Sequence, residues 1–193
     1  MVVKKIAILF SGTGSNLEKI LETLHQKTFQ YCRIEVVLTL CNRPNAAGIA
    51  KSRAYGIEPL ILDHTNYSSR EAFDEALVQA IQKSGAELTI LAGFMRILTP
   101  IFTKNIKAIN VHPSLLPLFK GGNAMKESFE SSMKVAGISI HYVSEELDGG
   151  DIIAQSCFEK SDAMSFEMFE AKIHAKEHEL LPKTIKNLLD RQL

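Results

Sequence analysis

The feature that most constrains this chain is a repeated alternation of short apolar runs with helical patterns. Residues 6–10, 34–40, 88–92 and 107–111 are runs rich in Ile, Leu, Val and Ala, each of strand length. Runs that are apolar on both faces suit strands covered on both sides, as in parallel sheets. After the first run, Leu17, Ile20, Leu21 and Leu24 recur at helical spacing. A helix is predicted over 46–55, stopped by Gly56, and residues 58–62 read as a short third strand. Ser68 and Glu71 have the spacing of a capping box. Phe73, Leu77, Ala80 and Ile81 follow on one helical face, which ends at Gly85. This rhythm predicts an α/β fold: an open, mostly parallel twisted sheet with helices on both faces and right-handed crossovers. The pattern then changes. Residues 137–143 alternate, a turn follows, and residues 151–158 form a further run, which predicts a partly antiparallel C-terminal extension. Ser165 is placed to cap a last helix carrying Phe166, Phe169, Ile173 and Leu180, and Pro182 is expected to kink or restart it.

Bulk properties exclude several classes. At 193 residues the chain is read as a single domain. Lys plus Arg and Asp plus Glu both count 22, so the basic excess of a dedicated nucleic-acid binder is missing. The first apolar run is too short to span a membrane. Cys32, Cys41 and Cys157 are far apart and form no zinc pattern, which suits a reducing, cytoplasmic setting. His174 and His178 share a helical face beside Glu177, but the order is not His-Glu-x-x-His and no third ligand is evident, so no metal is expected. His25 and His64 are read as surface residues, and His141 as structural.

Two segments carry chemistry. Gly12, Thr13, Gly14, Ser15 and Asn16 follow a strand and open a helix, where small residues admit a ligand to free N–H groups. A dinucleotide fingerprint would need Gly in place of Leu17, and a P-loop would need Gly-Lys-Ser/Thr. A single phosphate therefore fits better than a pyrophosphate, with a plain tight turn as the other reading. The second segment is Ile109-Asn110-Val111-His112-Pro113-Ser114-Leu115-Leu116-Pro117, with Glu146-Leu147-Asp148-Gly149-Gly150 further on. Asn110 sits where a parallel strand ends, the usual ligand position of open α/β sheets. Asn110 and a protonated His112 suit an oxyanion. Asp148 suits holding the imidazole charged and taking a proton. A buried polar network tying two loops together is the bland alternative.

No Gly-x-Ser-x-Gly elbow or nucleophilic Cys motif occurs, which favours direct transfer over a covalent acyl-enzyme. Phe94, Met95, Ile97 and Leu98 are apolar where a loop is expected. They either line a slot for a flat ring or pack the core. Arg96 among them suits an anion or an ordinary salt bridge. Gly121, Gly122 and Asn123 are the best candidates for a mobile loop.

Together these strings resemble the glycinamide ribonucleotide formyltransferase family of folate-dependent formyltransferases, nearly end to end. The likeness rests on residues 9–17, Cys41-Asn42-Arg43, residues 91–98, residues 110–117 and residues 146–150. The resemblance implies a Rossmann-like formyltransferase fold with a phosphate-binding half over 1–105 and a catalytic and folate-binding half over 106–193. It implies transfer of the formyl group of 10-formyltetrahydrofolate, a co-substrate, to the amine of 5′-phosphoribosylglycinamide in purine synthesis. Residues 12–16 would hold the 5′-phosphate and Glu177 the ribose hydroxyls. Asn110, His112 and Asp148 would carry the chemistry. Phe94, Met95, Arg96, Ile97 and Leu98, with Val143, Glu145, Leu147 and Asp148, would hold the pterin ring. The implied partners are small molecules only, with no metal, nucleic acid or membrane, in a cytoplasmic monomer or weak homodimer.

Two segments depart from that pattern. The family's Tyr-Pro-Gly loop with its following His and Arg is replaced by Phe119-Lys120-Gly121-Gly122-Asn123-Ala124-Met125-Lys126. Its His-Gly-Thr/Cys before the strand of His141 is replaced by Ala136-Gly137-Ile138. Competing readings are an amino-sugar formyltransferase, usually a longer chain, and a folate-binding module without activity, suggested by the rewritten Gly121-Gly122 loop.

Overall fold

The structure, a computed structural model, describes residues 1–191. Among these, eight strands form one sheet: β1 (Val2–Phe10), β2 (Lys27–Thr28), β3 (Cys32–Cys41), β4 (Leu60–Ile61), β5 (Leu88–Leu91), β6 (Ala108–His112), β7 (Val135–Tyr142) and β8 (Ile152–Glu159). The order is β2-β3-β1-β5-β6-β7-β8, with β4 attached to β3. Pairings among β1, β3, β4, β5 and β6 are parallel, while β7 and β8 are antiparallel additions. The expected α/β sheet with an antiparallel extension is therefore present. The strand order reverses beside β1, the place where such sheets open a crevice at their C-terminal ends.

Side-chain alternation along β1 builds both faces. Ile6, Ile8 and Phe10 pack with Leu17, Ile20 and Leu21 of α1 (Ser15–Leu24) and with Phe169, Ile173, Leu181 and Ile185 of α6 (Phe166–Leu189). Ala7 and Leu9 face Phe73, Leu77 and Ile81 of α3 (Arg70–Ser84) and Phe102 of α4 (Pro100–Asn105). Two shorter helices, α2 (Gly48–Ala54) and α5 (Ala124–Glu130), complete the layers.

Several local expectations change. The cap of α3 is Ser69, whose side chain accepts from the Ala72 amide, so the helix starts one residue later than the Ser68 spacing suggests. α6 runs unbroken through Pro182, which is buried against the core. Tertiary packing of a long amphipathic face outweighs the loss of one helical hydrogen bond there. His25 and His64 are half-buried rather than on the surface. His25 Nδ1 accepts from the Val36 amide at 3.1 Å.

Candidate active site

β6 delivers Asn110 and His112, and pairing sets what they meet. β6 runs parallel to β5 with Asn110 beside Leu91, and antiparallel to β7 with Asn110 opposite His141. Asn110 Nδ2 lies 3.2 Å from His141 Nε2. The other ring nitrogen of His141 donates to the Tyr142 carbonyl at 2.9 Å. His112 is 4% exposed. Its Nε2 lies 2.8 Å from the Phe119 carbonyl oxygen, which can only accept, so Nε2 carries a proton. That leaves Nδ1 on the side of Asp148, 3.5 Å from Oδ2.

Asp148 arrives from the turn between β7 and β8. Its φ of 49° is left-handed, a conformation Asp tolerates better than most residues. Gly150 lets that turn fold back on β7, since a Cβ there would lie 1.8 Å from the Tyr142 carbonyl oxygen. The Asp148 carboxylate accepts from the Gly121 amide at 2.8 Å and from Asn110 Nδ2 at 3.4 Å. Burial pushes its pKa up. The neighbouring His141, the Gly121 N–H and the His112 ring pull it down further, leaving it below the usual carboxylate range. Asn110, His112 and Asp148, remote in sequence, thus converge, and His141 joins them. His141, read from sequence as structural, contacts two of the three. The alternation of β7 marks its face, but only strand register reveals its neighbours.

These groups line part of a cleft of about 410 Å3. Phe94, Met95, Arg96, Ile97, Leu98, Val143, Glu145 and Leu147 line the rest of it. Every residue expected to touch a flat ring therefore borders the same space as the polar trio. Phe94 is buried, whereas Met95 and Ile97 are 65% and 56% exposed, which suits a slot more than core packing. Arg96 sets its guanidinium 5.5 Å from the centre of the Phe73 ring on α3. The volume lies within the range typical of drug-sized ligands, roughly 300–1,000 Å3. The cleft draws on residues from both of the expected halves of the chain.

Gly12, Thr13, Gly14, Ser15 and Asn16 lie outside that lining. Gly14 has φ 70° and directly precedes α1. A Cβ on it would stand 2.7 Å from Gly48 Cα, so the loop needs glycine for both conformation and space. Asn16 Nδ2 donates to Glu177 Oε2 at 2.9 Å, which joins the loop to α6 across 161 positions. Glu177 is 5% exposed and also accepts from His174 Nδ1 at 3.0 Å. Among the described residues, Asn16 Oδ1 and His178 Nε2 are buried without a hydrogen-bond partner. Among the described residues no group of three His, Cys, Asp or Glu has metal-holding geometry, and no helix is long and apolar enough to cross a membrane.

The His174–Glu177 contact yields a prediction on stability. The hydrogen bond to Glu177 raises the His174 pKa against the opposing effect of burial. A histidine whose folded pKa is raised contributes fully below its unfolded value, about 6.5, and the contribution fades as pH rises through the folded value. The difference in Tm between wild type and His174→Gln is thus expected to be larger near pH 6 than near pH 8.5. Thermal melts at both values check this, and a difference of equal size at the two would refute the pairing.

The fold matches those of known proteins. The formyl transferase family profile covers residues 4–185. The phosphoribosylglycinamide formyltransferase of Bacillus subtilis (strain 168) is 37% identical over 97% of this chain and 95% of its own length. The trifunctional purine biosynthetic protein adenosine-3 of Gallus gallus is 38% identical over 94% of this chain, which spans 18% of that protein. The crystal structure of phosphoribosylglycinamide formyltransferase from Campylobacter jejuni subsp. jejuni NCTC 11168 superposes with a TM-score of 0.95 at 61% identity, covering 97% of this chain and 98% of that one. This chain belongs to the formyl transferase family.

Proposed function

We propose that this chain transfers the formyl group of 10-formyltetrahydrofolate to the amine of 5′-phosphoribosylglycinamide in de novo purine synthesis, by direct attack. The names of its relatives support the reaction. The observation that carries the site assignment is the meeting of Asn110, His112 and Asp148 in the lining of a cleft that Phe94 to Leu98 also wall.

In this reading the loop of residues 12–16 takes the 5′-phosphate on its free N–H groups at the start of α1. Glu177, already beside Asn16, takes ribose hydroxyls. Phe94, Met95, Arg96, Ile97, Leu98, Val143, Glu145 and Leu147 hold the folate ring. The amine nitrogen forms a bond to the formyl carbon, and the carbonyl electron pair moves onto oxygen. Asn110 Nδ2 and a proton on His112 Nδ1 donate to that oxygen. The Asn110 contact with Asp148, at 3.4 Å, is long and is the one a substrate oxygen replaces. Asp148 receives the amine proton, directly or through water. The low pKa of Asp148 makes it a weak base, but attack leaves the nitrogen cationic, so its proton is readily given up. The bond from the formyl carbon to the folate nitrogen then breaks, and that nitrogen regains a proton. Three free thiols suit a cytoplasmic setting.

Purified protein is expected to turn over phosphoribosylglycinamide with 10-formyltetrahydrofolate without added metal. Loss of the formyl group from the donor is followed in parallel with amino-sugar acceptors. Turnover with an amino sugar alone would overturn the assignment.

A further inference from the structure

Residues 12–16 lie outside the lining of the cleft, yet one side chain joins that loop to the cleft wall. Ser11 ends the segment that leads into the loop of residues 12–16 and is 2% exposed. Its Oγ donates to Asn42 Oδ1 at 2.6 Å and accepts from the Met95 amide at 2.8 Å. Its own amide donates to the Gly93 carbonyl at 3.1 Å. Ser11 is therefore tied at two points to the segment that walls the cleft.

The link continues on the other side. Asn42 is fully buried at the end of β3, and its carbonyl oxygen lies 3.0 Å from His64 Nδ1. The chain then turns into α2, where the Gly48 amide donates to the Gly12 carbonyl at 3.0 Å. Gly14 packs so closely on Gly48 that a Cβ would not fit. The phosphate loop is thus held between Ser11 and α2, while Ser11 and Asn42 hold the Met95 backbone. The Ser11–Asn42 bond is buried, so no water substitutes there for a lost partner.

We propose that Ser11 is a positioning residue that couples occupancy of the two sites, so that each substrate binds more tightly when the other is present. The inference rests on the substrate assignment above. A ligand that orders residues 12–16 fixes Ser11, and the fixed hydroxyl orders Met95 and its neighbours in the cleft wall. The second ligand then meets a wall whose ordering cost is already met. Linkage requires the same factor in both directions.

The test uses tetrahydrofolate, which carries no formyl group and so permits no turnover. Its Kd is measured by calorimetry with and without saturating phosphoribosylglycinamide, and the reverse titration is run as well. Wild type is expected to show at least about fivefold tightening in both directions. Ser11→Ala removes both side-chain bonds, and Ser11→Cys keeps the shape while weakening them. The factor is expected to fall below about twofold in each. A purely structural role would weaken both ligands and leave the ratio intact, which would overturn the proposal. On wild type alone, hydrogen exchange at the Met95 amide is expected to slow when only the nucleotide is added, which keeps the idea testable if the variants fold poorly. Binding of both ligands with no coupling in wild type would sink the link alone. Failure of wild type to bind either would sink the substrate assignment with it.

Discussion

Asp148→Asn is expected to leave the fold intact and to lower kcat by at least about a hundredfold, the usual scale for losing acid–base assistance. The fold survives because an amide matches a carboxylate in shape. Its oxygen can still accept from the Gly121 amide, the shortest bond Asp148 makes at 2.8 Å. The turn itself depends on Gly150 and on the left-handed backbone of residue 148, which Asn adopts as readily as Asp. What disappears is the negative charge 3.5 Å from His112 Nδ1 and from His141 Nε2, and with it the acceptor for the amine proton. Among the described residues no other carboxylate pairs with His112. Glu145 and Glu146 lie on the same turn but pair with Lys104 and Lys120. Circular dichroism melts establish folding, and steady-state rates establish the loss. A properly folded variant with a near-normal rate would remove Asp148 from the chemistry.

Much of the fold was legible because local pattern and tertiary role agree. The 6–10 run is buried on both faces, and its alternation assigns Ile6, Ile8 and Phe10 to one layer and Ala7 and Leu9 to the other. Elements that went unread are short. α4 carries a signal in Thr99-Pro100, a cap position followed by Pro at the helix start, but its six residues show little periodicity. α5 is seven residues long and sits behind Gly121-Gly122, so loop chemistry masks it. The two residues of β2 exist only by pairing with β3. The site divides in the same way. Asn110, His112 and Asp148 were legible as types suited to one reaction, placed at a strand end and in a turn. The parts of His141, Ser11 and Asn42 depend on strand register and on hydrogen bonds spanning 31 and 84 positions, which no periodicity encodes. The Gly121-Gly122 segment, expected as a mobile loop, supplies a backbone donor to Asp148. A backbone donor leaves no trace in side-chain identity, so this contact could not be read from the loop's sequence.

Removing the Asn110 amide is expected to cost kcat about two to three orders of magnitude, with little change in KM for either substrate. The donor matters most once charge develops on the oxygen. A neutral formyl oxygen gains little from one more donor in water-like surroundings, but an oxygen acquiring full charge in a half-buried site gains a great deal. Asn110 is well placed for this. Pairing on both sides fixes its backbone, against Leu91 of β5 and His141 of β7, so little reorganisation precedes reaction. Its amide also rests 3.2 Å from His141 Nε2, which limits rotation. Asn110→Ala removes the donor and leaves space that water can fill. Asn110→Asp keeps the shape but sets a second carboxylate against Asp148 Oδ1, where the amide nitrogen now lies 3.4 Å away. Repulsion there raises the pKa of one of the two acids and discourages charge on the substrate oxygen. The aspartate variant is therefore expected to be at least as slow as the alanine variant near neutral pH, although it alters fewer contacts by shape. Parallel kcat and KM measurements on both decide the matter. A loss under about tenfold in Asn110→Ala, or a faster Asn110→Asp, would show that His112 alone steadies the oxyanion.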